Sequence, residues 1–222
     1  MPRITPLAAP APFDVWLVDL GLDPDDSELA TLSAAEHERA ERFVFARDRR
    51  RFLAAHVALR RLLAQRTGTP ARAIRFVEGP FGKPSLVERS DCSFNLSHSG
   101  EVALVAIAPE AEIGVDVEML HEVDDGAALA ERNFTPTECR QLADLPTDAR
   151  DRAFLRCWTR KEACLKAIGS GLSIAPETFE AGVGTDARVV RIATPQGMAS
   201  IEVHSLPDQT GLIAAVARTR PA

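Results

Sequence analysis

The spacing of apolar residues changes several times along this chain, and each change marks an element. Over 13–20 the run Phe-Asp-Val-Trp-Leu-Val-Asp-Leu predicts a buried strand. A helical period follows over 27–46, with Ser33 suited to act as an internal N-cap before Ala34-Ala35-Glu36. A second helix over 48–66 carries the stripe Phe52, Leu53, Val57, Leu62 and Leu63, and Gly68 and Pro70 end it. Short strands are expected near 74–77, 92–96 and 102–108. The latter part repeats this order: a strand over 113–118, helices over 126–133, 136–143 and 148–168, then strands near 179–181, 189–192, 199–204 and 212–217. The Pro/Ala-rich start, Met1 to Pro10, reads as a loose end.

The class is α+β, in two related halves with a boundary near Pro109-Glu110-Ala111. Arg51-Phe52-Leu53 and Ala153-Phe154-Leu155 open comparable long helices, a likeness too faint to establish duplication.

Composition narrows the picture modestly. A chain of 222 residues with 45% hydrophobic content can build a real core. Its net charge of −6 argues against a general nucleic-acid binder. The stretch 36–66 runs the other way, with nine Arg against four acidic residues. That excess could serve phosphates or could line two solvated helices. No apolar run approaches a membrane span, and the start lacks a signal-peptide core. Cys92, Cys139, Cys157 and Cys164 show no metal-ligand or disulfide spacing, so a reducing cytoplasm is expected. Cys157 and Cys164 are expected to be buried packing residues.

Two acidic segments carry the candidate chemistry. In Ile113-Gly114-Val115-Asp116-Val117-Glu118 the strand period sends Asp116 and Glu118 to one face and the apolar residues to the other. Two neighbouring carboxylates repel unless a cation lies between them, and paired oxygen ligands suit Mg²⁺. An isolated pair of this kind also fits a solvated strand face. In Trp158-Thr159-Arg160-Lys161-Glu162-Ala163-Cys164-Leu165-Lys166, Glu162 and Lys166 share a helix face with Trp158. Alone they read equally as a surface ion pair. Gly169-Ser170-Gly171-Leu172 is a helix stop and tight turn.

Taken together, G-x-D-x-E and W-[ST]-x-K-E-x-x-x-K-x-x-G-x-G-L resemble the 4′-phosphopantetheinyl transferases. The likeness is to the two-lobed kind that activates surfactin synthetase and similar megasynthases. It extends to Arg42-Phe43-Val44-Phe45-Ala46-Arg47-Asp48, Gly82-Lys83-Pro84, Phe94-Asn95-Leu96-Ser97-His98-Ser99-Gly100 and Asn133-Phe134-Thr135-Pro136-Thr137-Glu138. It runs from about Ser33 to Leu172 and weakens beyond.

The resemblance implies a pseudo-dimer of two similar α/β lobes, 1–109 and 110–222, with the active site in the cleft between them. The N-terminal lobe would bring coenzyme A contacts, and the C-terminal lobe the metal site and catalytic helix. It implies transfer of the phosphopantetheine arm of coenzyme A to a serine of an apo acyl or peptidyl carrier protein, releasing adenosine 3′,5′-bisphosphate. Asp116, Glu118 and Glu162 would hold Mg²⁺, with Mn²⁺ as an alternative. Glu162, Lys166 and Asp116 would carry the chemistry: Glu162 takes the serine proton, and Lys166 steadies phosphate charge.

Coenzyme A contacts would come from Arg39, Arg47, Arg51, Lys83, Pro84, Ser97, His98, Asp116, Glu162 and Lys166. Read by themselves, His98 fits a loop or a satisfied core histidine and Lys83 an exposed turn lysine. Glu36 departs from the pattern, standing where a relative carries a basic residue. The segment from Glu118 through Glu131 and Phe134 to Leu145 is a candidate carrier-docking surface. A monomer is expected, with no nucleic-acid or membrane partner. Competing readings are a Mg²⁺-dependent nucleotide phosphohydrolase and a coenzyme A- or carrier-binding regulatory module without catalysis.

Overall fold

Strand β1 (Ile4–Leu7) pairs antiparallel with β2 (Asp14–Asp19), so part of the expected loose end is an edge strand. The computed structural model describes residues 2–87, 91–209 and 211–220. The expected helix over 27–46 is cut in two, α1 (Asp26–Leu29) and α2 (Ala34–Glu41). The reason is the Ser33 capping box. Ser33 Oγ accepts the Glu36 N–H, and Glu36 reaches back to the Ser33 N–H. The residues after Glu41 leave the helix before α3 (Ala46–Thr67) begins. Gly68, at φ 72, stops α3 in the left-handed region that glycine enters without strain.

Then come β3 (Phe76–Glu78) and β4 (Pro84–Leu86), a small hairpin whose second strand the spacing does not announce. The first half closes with β5 (Ser93–Ser99) and β6 (Val102–Ala108), and its four-stranded sheet has the order β1-β2-β6-β5.

The second half opens with β7 (Ile113–Met119). It continues through α4 (Gly126–Asn133), α5 (Pro136–Ala143) and α6 (Thr147–Ile168) to β8 (Arg188–Thr194), β9 (Gly197–Ser205) and β10 (Leu212–Arg220). Its sheet has the order β7-β10-β9-β8. No strand forms over 179–181. Buried Glu138 takes the N–H groups of Ala181 and Gly182, and Lys161 takes the Phe179 carbonyl, so ladder partners are replaced by side chains.

Alternation along the strands fixes the layers. In β6, Ala103, Val105 and Ile107 pack with Ala54, Ala58 and Leu62 of α3. Leu104, Ala106 and Ala108 face the other way and meet Ile113, Val115 and Val117 of β7 and Val216 of β10. The opposite face of β10 sets Ala215 and Ala217 against Ala163 and Ala167 of α6. The order is therefore helix, sheet, sheet, helix. Each fully buried aliphatic side chain contributes about 1.5–3 kcal/mol, so the sheet-to-sheet layer binds the two halves firmly.

Both halves bury an ion pair in the same way. Glu36 of α2 meets Arg60 of α3 at 2.8 Å, and Glu138 of α5 meets Lys161 of α6 at 2.8 Å. Each acid is the third residue of a capping box, and each cation stands at the same position along its helix. Glu36 is thus part of the frame, which accounts for the acid at that place in the motif.

Candidate active site

Gly114 brings the two acidic segments together. A Cβ there would lie 2.1 Å from the Ala163 carbonyl oxygen and 2.5 Å from the Ala167 nitrogen. Only a residue without a side chain lets β7 lie directly on the backbone of α6. Asp116 follows two residues later on the same face, and Lys166 lies on the adjoining turn. The Lys166 Nζ donates to Asp116 Oδ1 at 2.6 Å and to Ser97 Oγ at 3.1 Å. Ser97 Oγ donates to the same Asp116 oxygen at 2.8 Å. Asp116 is 5% exposed, so the solvated-face alternative fails at this residue.

The third participant is β5, the inner edge of the first sheet. It faces β7, the inner edge of the second, through side chains rather than a backbone ladder. Asn95 Oδ1 accepts the Val115 N–H at 2.9 Å, and Ser99 Oγ accepts the Met119 N–H at 3.1 Å. Ser99 also donates to Glu118 Oε2 at 2.8 Å. Asn95, Ser97 and Ser99 alternate along one face of β5, and each fastens one level of β7.

A cavity of about 480 Å³ opens on this seam, lined by Ser97, His98, Asp116, Glu118, Glu162 and Lys166, with Leu96 and Trp158 at its walls. Burial pushes the Glu162 carboxyl up, and the Asp116 and Glu118 charges add to it against the pull of Lys166. Burial likewise raises Glu118, with Asp116 adding and the Ser99 hydrogen bond opposing. Asp116 Oδ2 is buried without a hydrogen-bond partner. Crowded carboxylates with an unsatisfied oxygen fit a divalent cation, whose charge removes the repulsion. Among the described residues no three His, Cys, Asp or Glu side chains converge closely enough to hold a metal ion by themselves. The donors line an open wall, as suits a metal that also takes substrate oxygens.

Residues 112–217 match the model of the 4′-phosphopantetheinyl transferase superfamily, and residues 25–110 match that of the 4′-phosphopantetheinyl transferase N-terminal region. The 4′-phosphopantetheinyl transferase HetI of Nostoc sp. is 41% identical over 167 residues, covering 72% of this chain and 70% of the relative. The chain belongs to the 4′-phosphopantetheinyl transferase family. A putative family member of Synechocystis sp. is 39% identical over 161 residues, 72% of this chain and 65% of that protein's length. The Bacillus pumilus phosphopantetheinyl transferase psf-1 is 31% identical over 176 residues, 79% and 74% of the two chains.

Not every motif residue of this phosphopantetheinyl transferase reaches the cavity. Lys83 spends its ammonium on Glu112 Oε2 at 2.6 Å and on the Ile113 and Ala167 carbonyls at 3.0 Å each. It ties the β3–β4 hairpin to the start of β7 and the end of α6. Arg51 and Arg50 hold Glu101 at 2.6 and 2.9 Å, Arg47 holds Asp48, and Arg39 lies over the Phe52 ring. Pro84 opens β4. Lys161, beside Glu162 in the motif, points away into the buried pair with Glu138.

Sequence reasoning missed Asn95, Ser99, Glu101 and Glu112 as partners. Asn95 and Ser99 carried a usable signal, since they share the strand period of Ser97. Cys157 and Cys164 are buried as expected, and burial raises both thiols, Cys164 to about 12.

Proposed function

We propose that this protein moves the 4′-phosphopantetheine arm of coenzyme A onto a serine of an apo acyl or peptidyl carrier protein. The observation that carries the reading is the Asp116–Lys166–Ser97 cluster, set with Glu118 and Glu162 on one cavity and leaving one Asp116 oxygen unsatisfied. Its two halves act as a pseudo-dimer, 1–109 and 110–222, with the reaction in the cleft between them. Family membership and the matched order of strands and long helices support that reading.

The carrier serine oxygen forms a bond to the phosphorus that bears the pantetheine arm. The bond from that phosphorus to the bridging oxygen breaks, and its electron pair leaves with adenosine 3′,5′-bisphosphate. Glu162 receives the serine proton, directly or across one water, since a carboxylate that also binds metal is a poorer base. Lys166 neutralises charge on the transferring phosphate. Asp116, Glu118 and Glu162 would hold Mg²⁺, or Mn²⁺ in its place, which supplies charge neutralisation at the diphosphate. Ser97 and His98 line the cavity as coenzyme A contacts. Arg39, Arg47, Arg51, Lys83 and Pro84 are proposed as outlying contacts, the charged ones exchanging their present carboxylate or aromatic partners for phosphate. The cleft needs no second copy, and four free cysteines suit a reducing cytoplasm. No helix among the described residues is long and apolar enough to cross a membrane.

Intact-mass spectrometry of an apo carrier with this protein, coenzyme A and Mg²⁺ tests the proposal. An adduct of about 340 Da on the carrier serine, the size of the transferred arm, is expected, and chelation of the metal should abolish it. Coenzyme A cleaved without an adduct would point to a phosphohydrolase. Coenzyme A bound but uncleaved with every carrier would point to a regulatory module.

A further inference from the structure

Two acids stand at opposite ends of the β5–β7 seam, and each already holds cations that the substrate would want. Glu101 lies on the turn between β5 and β6, two residues beyond Ser99. A Cβ on the neighbouring Gly100 would meet Met119 Cγ at 3.1 Å, so this turn abuts the end of β7 just past Glu118. Arg51 donates to Glu101 Oε1 from Nε at 3.1 Å and from Nη2 at 2.6 Å, and Arg50 donates to Oε2 at 2.9 Å. These guanidiniums, Arg51 foremost, hold the Glu101 carboxyl below the usual carboxylate range, so it is charged at neutral pH. At the other end Glu112, just before β7, takes the Lys83 ammonium at 2.6 Å.

The partners differ in how firmly they are held. The Glu101 and Glu112 side chains are 44% and 55% exposed, against 21% for Arg51 and 14% for Lys83. If Glu101 swings into water, Arg50 keeps the Leu20 carbonyl and Arg51 keeps Asp48 at 3.4 Å. If Glu112 does so, Lys83 keeps the Ile113 and Ala167 carbonyls. The cations stay in place while the acids come and go.

None of these cations lines the catalytic cavity. The phosphate to be transferred lies at Lys166 and the carboxylates, and every other phosphate of coenzyme A departs on adenosine 3′,5′-bisphosphate. Cations outside the cavity therefore serve the part that leaves. Resting on the transfer reading above, we infer that Glu101 and Glu112 are resident counter-anions that compete with the nucleotide phosphates for Arg50, Arg51 and Lys83. A site free only part of the time binds more weakly by that fraction. The acids thus loosen substrate and product alike, and they reclaim the cations as the bisphosphate departs, which favours its release.

The test is calorimetric titration of the full chain, in Mg²⁺, with coenzyme A and separately with adenosine 3′,5′-bisphosphate. In Glu101→Gln and in Glu112→Gln each dissociation constant is expected to fall about two- to fivefold, the worth of an exposed ion pair, and the double variant should combine the gains. The bisphosphate should inhibit carrier modification more strongly by the same factor. Glu110→Gln makes the same charge change on an exposed side chain two residues from Glu112 and should leave both constants alone. Constants unchanged or raised in either variant, or an equal fall in Glu110→Gln, would overturn the inference while leaving the transfer reading standing. A native chain that binds neither ligand would overturn both.

Discussion

Gly114→Ala tests how the site is built. The added methyl carbon would sit 2.1 Å from the Ala163 oxygen, 2.5 Å from the Ala167 nitrogen and 2.9 Å from the Lys166 carbonyl carbon. All three are backbone atoms inside a 22-residue helix, so no side chain can swing aside. Relief requires β7 and α6 to separate by about an ångström before ordinary contact is restored. Overpacking of a close-packed layer costs about 1–3 kcal/mol, and a clash with main chain belongs at the upper end. For a chain of this length, about 3 kcal/mol lowers the thermal midpoint by about 6–12 °C. The same shift parts Asp116 from Lys166, now 2.6 Å apart, and misplacement on that scale lowers turnover by about a hundredfold. Thermal unfolding followed by circular dichroism, alongside carrier modification by mass spectrometry, reads both effects. Gly184→Ala, where nothing lies within 4 Å of the new carbon, should be neutral in both. A Gly114→Ala protein with wild-type midpoint and turnover would refute the account of strand and helix in contact.

Three further outcomes are expected. Lys166→Ala should lower kcat at least tenfold while changing the dissociation constant for coenzyme A less, because its charge acts most on the transition state; single-turnover rates compared with equilibrium binding decide this. Ser99→Ala removes the hydroxyl that lowers the Glu118 carboxyl, so the Mg²⁺ concentration for half-maximal activity should rise, and metal binding measured by calorimetry should weaken in parallel. Glu36→Gln leaves Arg60 buried beside a neutral partner and should destabilise the fold by about 3 kcal/mol. In the native chain burial lifts Glu36, but hydrogen bonds from His56, Arg60 and Ser33 outweigh it and hold the carboxyl at about 2, below its ordinary 4.5. That stabilisation is complete above pH 4.5 and is lost as pH falls towards 2, so urea midpoints of the variant should vary less with pH across that window.

Much of this architecture was legible in the spacing of residues. The helices over 126–133 and 136–143 and the strand over 102–108 appear with the expected bounds, because their periods are local and, for the helix over 136–143, a Thr135–Glu138 capping box marks the start. What escaped depends on partners distant in sequence. Ile4–Leu7 holds a proline and no alternation, and becomes a strand only because β2 stands beside it. The segment over 179–181 is apolar enough for a strand but is captured by Glu138 and Lys161, some twenty to forty residues away. At the site, the alternation of Asp116 and Glu118 was readable, whereas the burial of Asp116 was not, since α6 covers that face. The arginine excess of 36–66 fitted phosphates or solvated helices, yet Glu101 occupies Arg50 and Arg51 from a strand turn about fifty residues on.

The seam between β5 and β7 bears on how the chain could be divided. Only Pro109 to Glu112 join the two halves, and Glu110 and Glu112 on that link are exposed. A break there would leave each fragment with a raw strand edge and an uncovered apolar sheet face, the condition that drives strands to seek a partner. The partner each would fit best is the other fragment. Because Ser97 and Ser99 lie on one piece and Asp116, Glu118 and Lys166 on the other, reassembly and catalysis would return together. The molecule has the makings of a split reporter, silent in parts and active when two fusion partners bring the pieces side by side.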